Sequence, residues 1–274
     1  MPTIHVNDLL DERLDVFARL TDRQLRSNID RSRAVMVVES PFAVEVALRE
    51  GLEPLSFLLD ERHEQSMSAV LSQVDEEVPV FLAPRSLMSE LVGFKVTRGV
   101  MAAFRRPAAR EVSDVIEGAR RIAVLEGLVD ATNVGALFRS AAALGVDAIL
   151  LDPTCADPFS RRAVRVSMGT VLKIPWATFD AEGDRSWPTG SLGMLHDAGF
   201  YVAAMALEEG ALPIDDPSLR EHERLALVFG SEGWGITDGA LASCDVAAII
   251  PMSHGVDSLN VAASSAVAFW QLCR

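Results

Sequence analysis

The chain has 274 residues, 49% of them hydrophobic and 23% charged, which supplies apolar material for a sizeable core and favours two domains over one. No apolar run approaches the roughly 18 residues of a membrane span. The opening segment MPTIHVNDLLDERLDVF is broken by Asp8, Asp11, Glu12 and Arg13, so it lacks the apolar core of a secretion signal and the expectation is a cytoplasmic protein. A net charge of −14, acidic in both halves, argues against a general nucleic-acid binder, whose affinity comes from Lys and Arg neutralising phosphates.

Residues 1–33 carry a helical pattern, with Leu9, Leu10, Leu14, Phe17 and Leu20 on one face and an arginine-rich stretch behind them; this reads as an N-terminal helical extension. AVMVVES then reads as a strand, PFAVEVALREG as a helix opened by Pro41 and closed at Gly51, and PLSFLLD as a second strand. VPVFLAP and GVMAAF add strands, with the helix SLMSELVGF between them. Residues 34–108 therefore form a small α/β module. A charged stretch with little apolar periodicity, FRRPAAREVSDVIEGARR, sets a boundary near 105–118.

From residue 119 to 274 the pattern alternates. RIAVLEGL, DAILLDP, VLKIPWATF, YVAAMAL, LALVFG and AAIIPM are short continuous apolar strands, of the kind buried on both faces of a parallel sheet. NVGALFRSAAALG, DPFSRRAVRVSMG, SLGMLHDAG, TDGALASCD and SLNVAASSAVAFWQLCR read as the intervening helices. The fold class is α/β with a parallel sheet, and such sheets bind ligands in the loops at the carboxyl ends of their strands.

The residues that usually carry hydrolytic or metal chemistry are scattered. Cys155, Cys244 and Cys273 make no CxxC pair and no zinc set, and the five histidines form no HExxH motif, so neither a metal site nor a Ser-His-Asp triad is expected. A nicotinamide-dependent oxidoreductase would need a GxGxxG turn, and none is present. Three arginine groups remain as local patches for an anionic partner or, equally, as solvated helix faces: Arg19, Arg23, Arg26, Arg31 and Arg33; Arg105, Arg106 and Arg110; Arg161, Arg162 and Arg165.

Three loops stand out. Asp130-Ala-Thr-Asn133-Val-Gly135-Ala-Leu-Phe-Arg139 leads from a strand into a helix, with Asn133 placed to cap it. Arg139 is the one charge in that apolar helix and must find a partner or a ligand. Gly230-Ser231-Glu232-Gly233-Trp234-Gly235 lets the backbone approach a ligand closely, and Glu232 disfavours a phosphate. Ile249-Ile250-Pro251-Met252 followed by Asp257-Ser258-Leu259-Asn260-Val261-Ala262 puts Ser258 and Asn260 at the entry of an Ala/Ser-rich terminal helix, where Ser258 is the plain cap candidate.

Together these loops resemble, in order and spacing, the signatures of the SpoU (TrmH-like) family of RNA ribose methyltransferases: N-x-G-x-x-x-R, F-G-x-E-G-x-G, and I-P-M with S-L-N-V-A. The resemblance covers about 120–274, and 34–104 more loosely resembles the L30e-type substrate-binding domain that often precedes it. One departure is Thr132, where proline often precedes the asparagine.

The resemblance implies a C-terminal trefoil knot, a homodimer with the site at its interface, and S-adenosylmethionine held by Gly230, Ile250 and Leu259, with Ala206, Leu207, Met252 and Ser258 lining the same pocket. The implied reaction is methylation of a ribose 2′-hydroxyl in ribosomal or transfer RNA. By this resemblance Arg139 is assigned to the step that activates the hydroxyl, as a cation stabilising the developing oxyanion. Asn133, Glu232, Ser258 and Asn260 would orient Arg139 and the ribose, with Glu232 as the partner of the buried charge. A catalytically silent RNA-binding or scaffold member of the same fold would have lost Arg139, Glu232 or Asn260, and all three are present.

Overall fold

A computed structural model describes residues 2–8, 10–18, 34–91 and 99–274. In chain order the first elements are β1 (Thr3–His5), α1 (Asp15–Ala18), β2 (Val35–Glu39), α2 (Pro41–Arg49), β3 (Pro54–Asp60), α3 (Glu64–Leu71), β4 (Val80–Ala83), α4 (Arg85–Leu91) and β5 (Val100–Arg105). There follow α5 (Val112–Ile116), β6 (Arg121–Leu125), α6 (Ala131–Ala143), β7 (Ala148–Leu151), α7 (Arg161–Ser167), β8 (Trp176–Thr178), α8 (Thr189–Asp197) and β9 (Tyr201–Met205). The last are β10 (Leu212–Pro213), α9 (Ser218–Glu221), β11 (Leu225–Phe229), α10 (Asp238–Leu241), β12 (Val246–Ile249) and α11 (Val261–Leu272). The chain divides into two compact units, Met1–Ala108 with Asp157–Leu172, and Ala109–Ala156 with Lys173–Arg274.

The first unit is built on a five-stranded mixed sheet in the order β1-β4-β3-β5-β2, with β1, β4 and β3 parallel and β5 antiparallel to β3 and β2. β4 and most of β3 and β5 are buried, as their apolar runs require. Helix α2 starts where Ser40 Oγ accepts the Ala43 N–H and Pro41 supplies the first turn, and it stops before Gly51 at φ +76°. Leu14 and Phe17 enter the core with Val37, Leu58, Phe81 and Met101.

Two expectations change in this unit. Residues 3–5 are not helical: they form an edge strand against β4, and Leu10 of the expected apolar face is 74% exposed. Leu9 and Leu20 lie outside the described residues. The segment 157–172 groups with this unit, not with the second in which the sequence had placed it. The cause is electrostatic as well as apolar. Arg161 on α7 pairs with Glu39 at the end of β2, and its remaining donors reach Phe17 O at 3.0 Å and Met101 Sδ at 3.0 Å.

The second unit holds a seven-stranded, wholly parallel sheet in the order β10-β12-β9-β11-β6-β7-β8. β7 and β11 are buried along their whole length and β6 nearly so, as expected of strands covered on both faces. Of VLKIPWATF only Trp176–Thr178 is a strand, and residues 170–172 form a 3-10 turn. The charged stretch near 105–118 is not featureless: α5 lies within it and places Val115 and Ile116 in the core. The terminal helix α11 packs on α6, with Phe269 edge-on to Phe229 at 5.5 Å, and Arg121 Nε at the start of β6 donates to Leu272 O at 3.1 Å.

Candidate active site

The carboxyl ends of β6, β11 and β12 open into the loops that carry the three motifs, and that of β9 leads into Ala206 and Leu207. Helix α6 begins at Ala131, and its cap is Asp130, whose carboxylate accepts the Thr132 N–H at 2.8 Å; Asn133 lies in the first turn and is not the cap. The terminal helix is capped by Asn260, not Ser258: Asn260 Oδ1 accepts the Ala262 N–H at 3.0 Å, which leaves its amide nitrogen free to donate elsewhere. That nitrogen donates to Asn133 Oδ1 at 3.1 Å and also to Glu232 Oε1. One side chain thus joins one residue from each motif loop, and capping fixes which way its amide points. Ser258, expected in the same group, bonds instead to Asp257 Oδ1 at 3.2 Å.

Beside this junction lies a cleft of about 630 Å³. It is lined by all seven residues assigned to the cofactor: Ala206, Leu207, Gly230, Ile250, Met252, Ser258 and Leu259. Its charged lining residues are Glu208, Glu232 and Asp257, with no Lys, Arg or His. The floor is closed by backbone. A Cβ on Gly230 would collide with the Gly235 carbonyl and come within 2.5 Å of Ile236 N, so this position takes glycine alone. The loop folds back on itself through paired bonds between Ser231 and Gly235, at 3.1 and 2.9 Å.

A buried carboxylate that sequence reasoning missed secures this loop. Glu126, 4% exposed at the end of β6, donates its N–H to Phe229 O at 2.9 Å. Its carboxylate accepts the Thr237 N–H at 2.9 Å, the Thr237 hydroxyl at 2.7 Å and Trp187 Nε1 at 2.7 Å. Both ends of the segment 229–237 therefore hang on one residue. The signal was in the sequence, a lone charge at the close of the apolar run RIAVLEGL.

Arg139 departs from expectation. It is exposed on α6, and neither Glu232 nor any other described residue forms a hydrogen bond or ion pair with it. Four arginines of the two later patches are paired inside the first unit. Arg105 pairs with Glu53 at 2.7 Å, Arg106 with Asp157 at 2.6 Å and Arg165 with Glu39 at 3.6 Å, besides Arg161 with Glu39. Arg19, Arg23, Arg26, Arg31 and Arg33 lie outside the described residues. Burial above all, and the Asp152 carboxylate, push the Cys155 thiol upward, and its Sγ is engaged by Leu128 N and Leu125 O at 3.4 and 3.3 Å. Among the described residues no group of side chains could hold a metal ion, and no helix is long and apolar enough to cross a membrane.

The SpoU rRNA methylase family model matches residues 120–270. An uncharacterized tRNA/rRNA methyltransferase of Mycobacterium tuberculosis is 39% identical over 265 residues, covering 96% of this chain and 89% of that protein. The 23S rRNA (guanosine(2553)-2′-O)-methyltransferase of Bacillus subtilis is 24% identical over 252 residues, covering 91% and 93%. In fold, the chain matches an AdoMet-bound rRNA methyltransferase from Sinorhizobium meliloti with a TM-score of 0.79 at 21% identity, over 98% of this chain and 97% of that one. With the family model spanning more than half of its length and a relative at 39% identity spanning nearly all of it, the chain belongs to the SpoU rRNA methylase family.

Proposed function

We propose that the protein transfers a methyl group from S-adenosylmethionine to a ribose 2′-hydroxyl of ribosomal or transfer RNA. The observation that carries this reading is the junction at Asn260, which draws Asn133 and Glu232 from the other two motif loops to the rim of the cleft. The cleft suits the cofactor by its chemistry. S-adenosylmethionine supplies an activated methyl on a positively charged sulfonium, and the lining offers carboxylates, apolar surface and closely approaching backbone at Gly230, with no cation to repel it. An anionic nucleotide would meet the opposite conditions.

The chain's own residues supply the remaining functions. A ribose hydroxyl is a weak nucleophile at neutral pH, so the site must stabilise the oxyanion as it forms. Arg139 does this with a guanidinium that donates hydrogen bonds and keeps its charge. An RNA phosphate takes the proton. Asn133, Glu232, Asn260 and Ser258 orient the ribose. A solitary chain leaves Arg139 exposed and without a partner among the described residues, and this supports the homodimer as the active form, with Arg139 completing a site at the interface. Exposed Val129, Val256, Val267 and Trp270 on the second unit give such an interface apolar area. The reading includes a trefoil knot in the C-terminal segment, supported by β12 lying between β9 and β10 and by α11 returning onto α6. It also includes an L30e-like role for residues 34–108 in RNA recognition, and a cytoplasmic location, which three free thiols suit.

The test is incubation with methyl-labelled S-adenosylmethionine and bulk RNA from cells lacking the gene, followed by mapping of the modified nucleotide. Label on one 2′-hydroxyl, absent with Arg139→Ala, is the expected result. Cofactor binding with no RNA methylation by the unaltered protein overturns the reading in favour of a silent scaffold.

A further inference from the structure

Trp234 is the most exposed large apolar side chain among the described residues, at 94%. An indole normally buries well over half of its surface, so a bare one needs an explanation. Looseness of the loop is not the explanation. The Trp234 N–H is held by Ser231 Oγ at 3.2 Å, the turn is closed by the two Ser231–Gly235 bonds, and Gly235 takes the φ of +69° that the tight return requires. The ring is thus presented outward from a fixed turn. It also stands at the reaction site, since it lines the cleft and lies two residues from Glu232, which accepts from Asn260.

The charge distribution narrows what covers it. The chain carries −14, the cleft lining has carboxylates and no cation, and Arg105, Arg106, Arg161 and Arg165 are paired within the first unit. Among the described residues the cleft lining itself therefore offers no cation to a phosphate, and RNA held against it must use contacts that ignore backbone charge, with Arg139 on α6 left for the reacting nucleotide. Stacking of an unpaired base on an aromatic ring is such a contact. We infer that Trp234 is a stacking platform for an unpaired base next to the methylated ribose, and that the substrate site is consequently a loop, bulge or single strand. This rests on the RNA-methylating reading above and specifies its substrate.

The experiment measures KM for protein-free ribosomal RNA in methyl transfer, cofactor affinity by calorimetry, and molecular mass in solution, for the unaltered protein, Trp234→Phe and Trp234→Ala. Removing one stacked base weakens binding about 10- to 100-fold, so Trp234→Ala should raise KM for RNA by that factor. Mass should not change, any fall in cofactor affinity should be well below the rise in KM because Trp234 only borders the cleft, and Trp234→Phe should recover most of the loss. Short single-stranded RNA should compete with the substrate better than the same sequence as a duplex. An unchanged KM, equal competition by duplex, or a fall in mass with Trp234→Ala overturns the inference, the last by making Trp234 a contact between subunits. Failure of the unaltered protein to methylate any RNA sinks the functional reading as well, whereas normal transfer with an indifferent Trp234→Ala sinks this inference alone.

Discussion

Thr237 is bound twice by Glu126, through its backbone N–H at 2.9 Å and its hydroxyl at 2.7 Å. The same carboxylate takes Trp187 Nε1. A buried carboxylate whose side-chain hydrogen bonds all come from donors is stable only while those donors remain. Replacing it strands the Trp187 and Thr237 donors. Glu126→Ala should therefore cost about 2–4 kcal/mol in urea unfolding, whereas Trp187→Phe, which removes one donor and keeps the ring, should cost about 1 kcal/mol. Equal losses would mean that the Thr237 bonds carry nothing.

Asn260 performs two tasks that substitution can separate. Asn260→Ala loses the helix cap and should lower stability by about 1 kcal/mol while reducing methyl transfer at least tenfold. Asn260→Asp keeps a cap of equal quality but loses the amide donor and faces Glu232 with a like charge. It should melt close to the unaltered protein and still transfer slowly. If its rate is normal, the Asn133–Asn260–Glu232 junction has no part in the reaction.

Gly230→Ala places a methyl group into the Gly235 carbonyl. Backbone cannot move aside as a flexible side chain would, so the loop must shift as a unit. Overpacking of this kind costs about 1–3 kcal/mol, and calorimetry should show cofactor affinity reduced at least tenfold. An affinity within twofold of the unaltered protein would remove Gly230 from the binding surface.

Burial foremost, aided by the neighbouring Asp245 and Glu126 carboxylates for Cys244 and by Asp147 for Cys273 against the opposing pull of Arg121, pushes both thiols from an ordinary 9.0 up to about 12. The folded state therefore prefers the protonated thiol. Its contribution to stability is fully present below pH 9 and is lost as pH rises from 9 toward about 12. Unfolding midpoints should decline across that window, less so in Cys244→Ala, and a thiol reagent at pH 8 should label the native protein far more slowly than the unfolded one.

The parallel sheet of the second unit was legible because strands covered on both faces must be continuously apolar, and RIAVLEGL, DAILLDP and LALVFG are so. Strand β1 was not, since three half-exposed edge residues carry no period. Helix α3 was missed because Met67 is its only fully buried residue, and α5 because its charges mask Val115 and Ile116. The site residues were readable as motifs, but their bonds were not. A lone charge in an apolar element was taken at Arg139 to demand a partner or a ligand. The same logic holds at Glu126, which has three bonded donor atoms, whereas Arg139 projects from the surface and has no partner among the described residues.

Because α7 returns to the first unit, that unit is not one uninterrupted stretch of polypeptide. A fragment ended at residue 108 would leave Glu39 without Arg161 and Arg165, and Phe17 O and Met101 Sδ without the guanidinium they share. Transplanting the first unit between relatives is accordingly a two-junction operation. A chimera joined once near residue 108 would carry a foreign helix into the place of α7, and natural recombination at that point meets the same barrier.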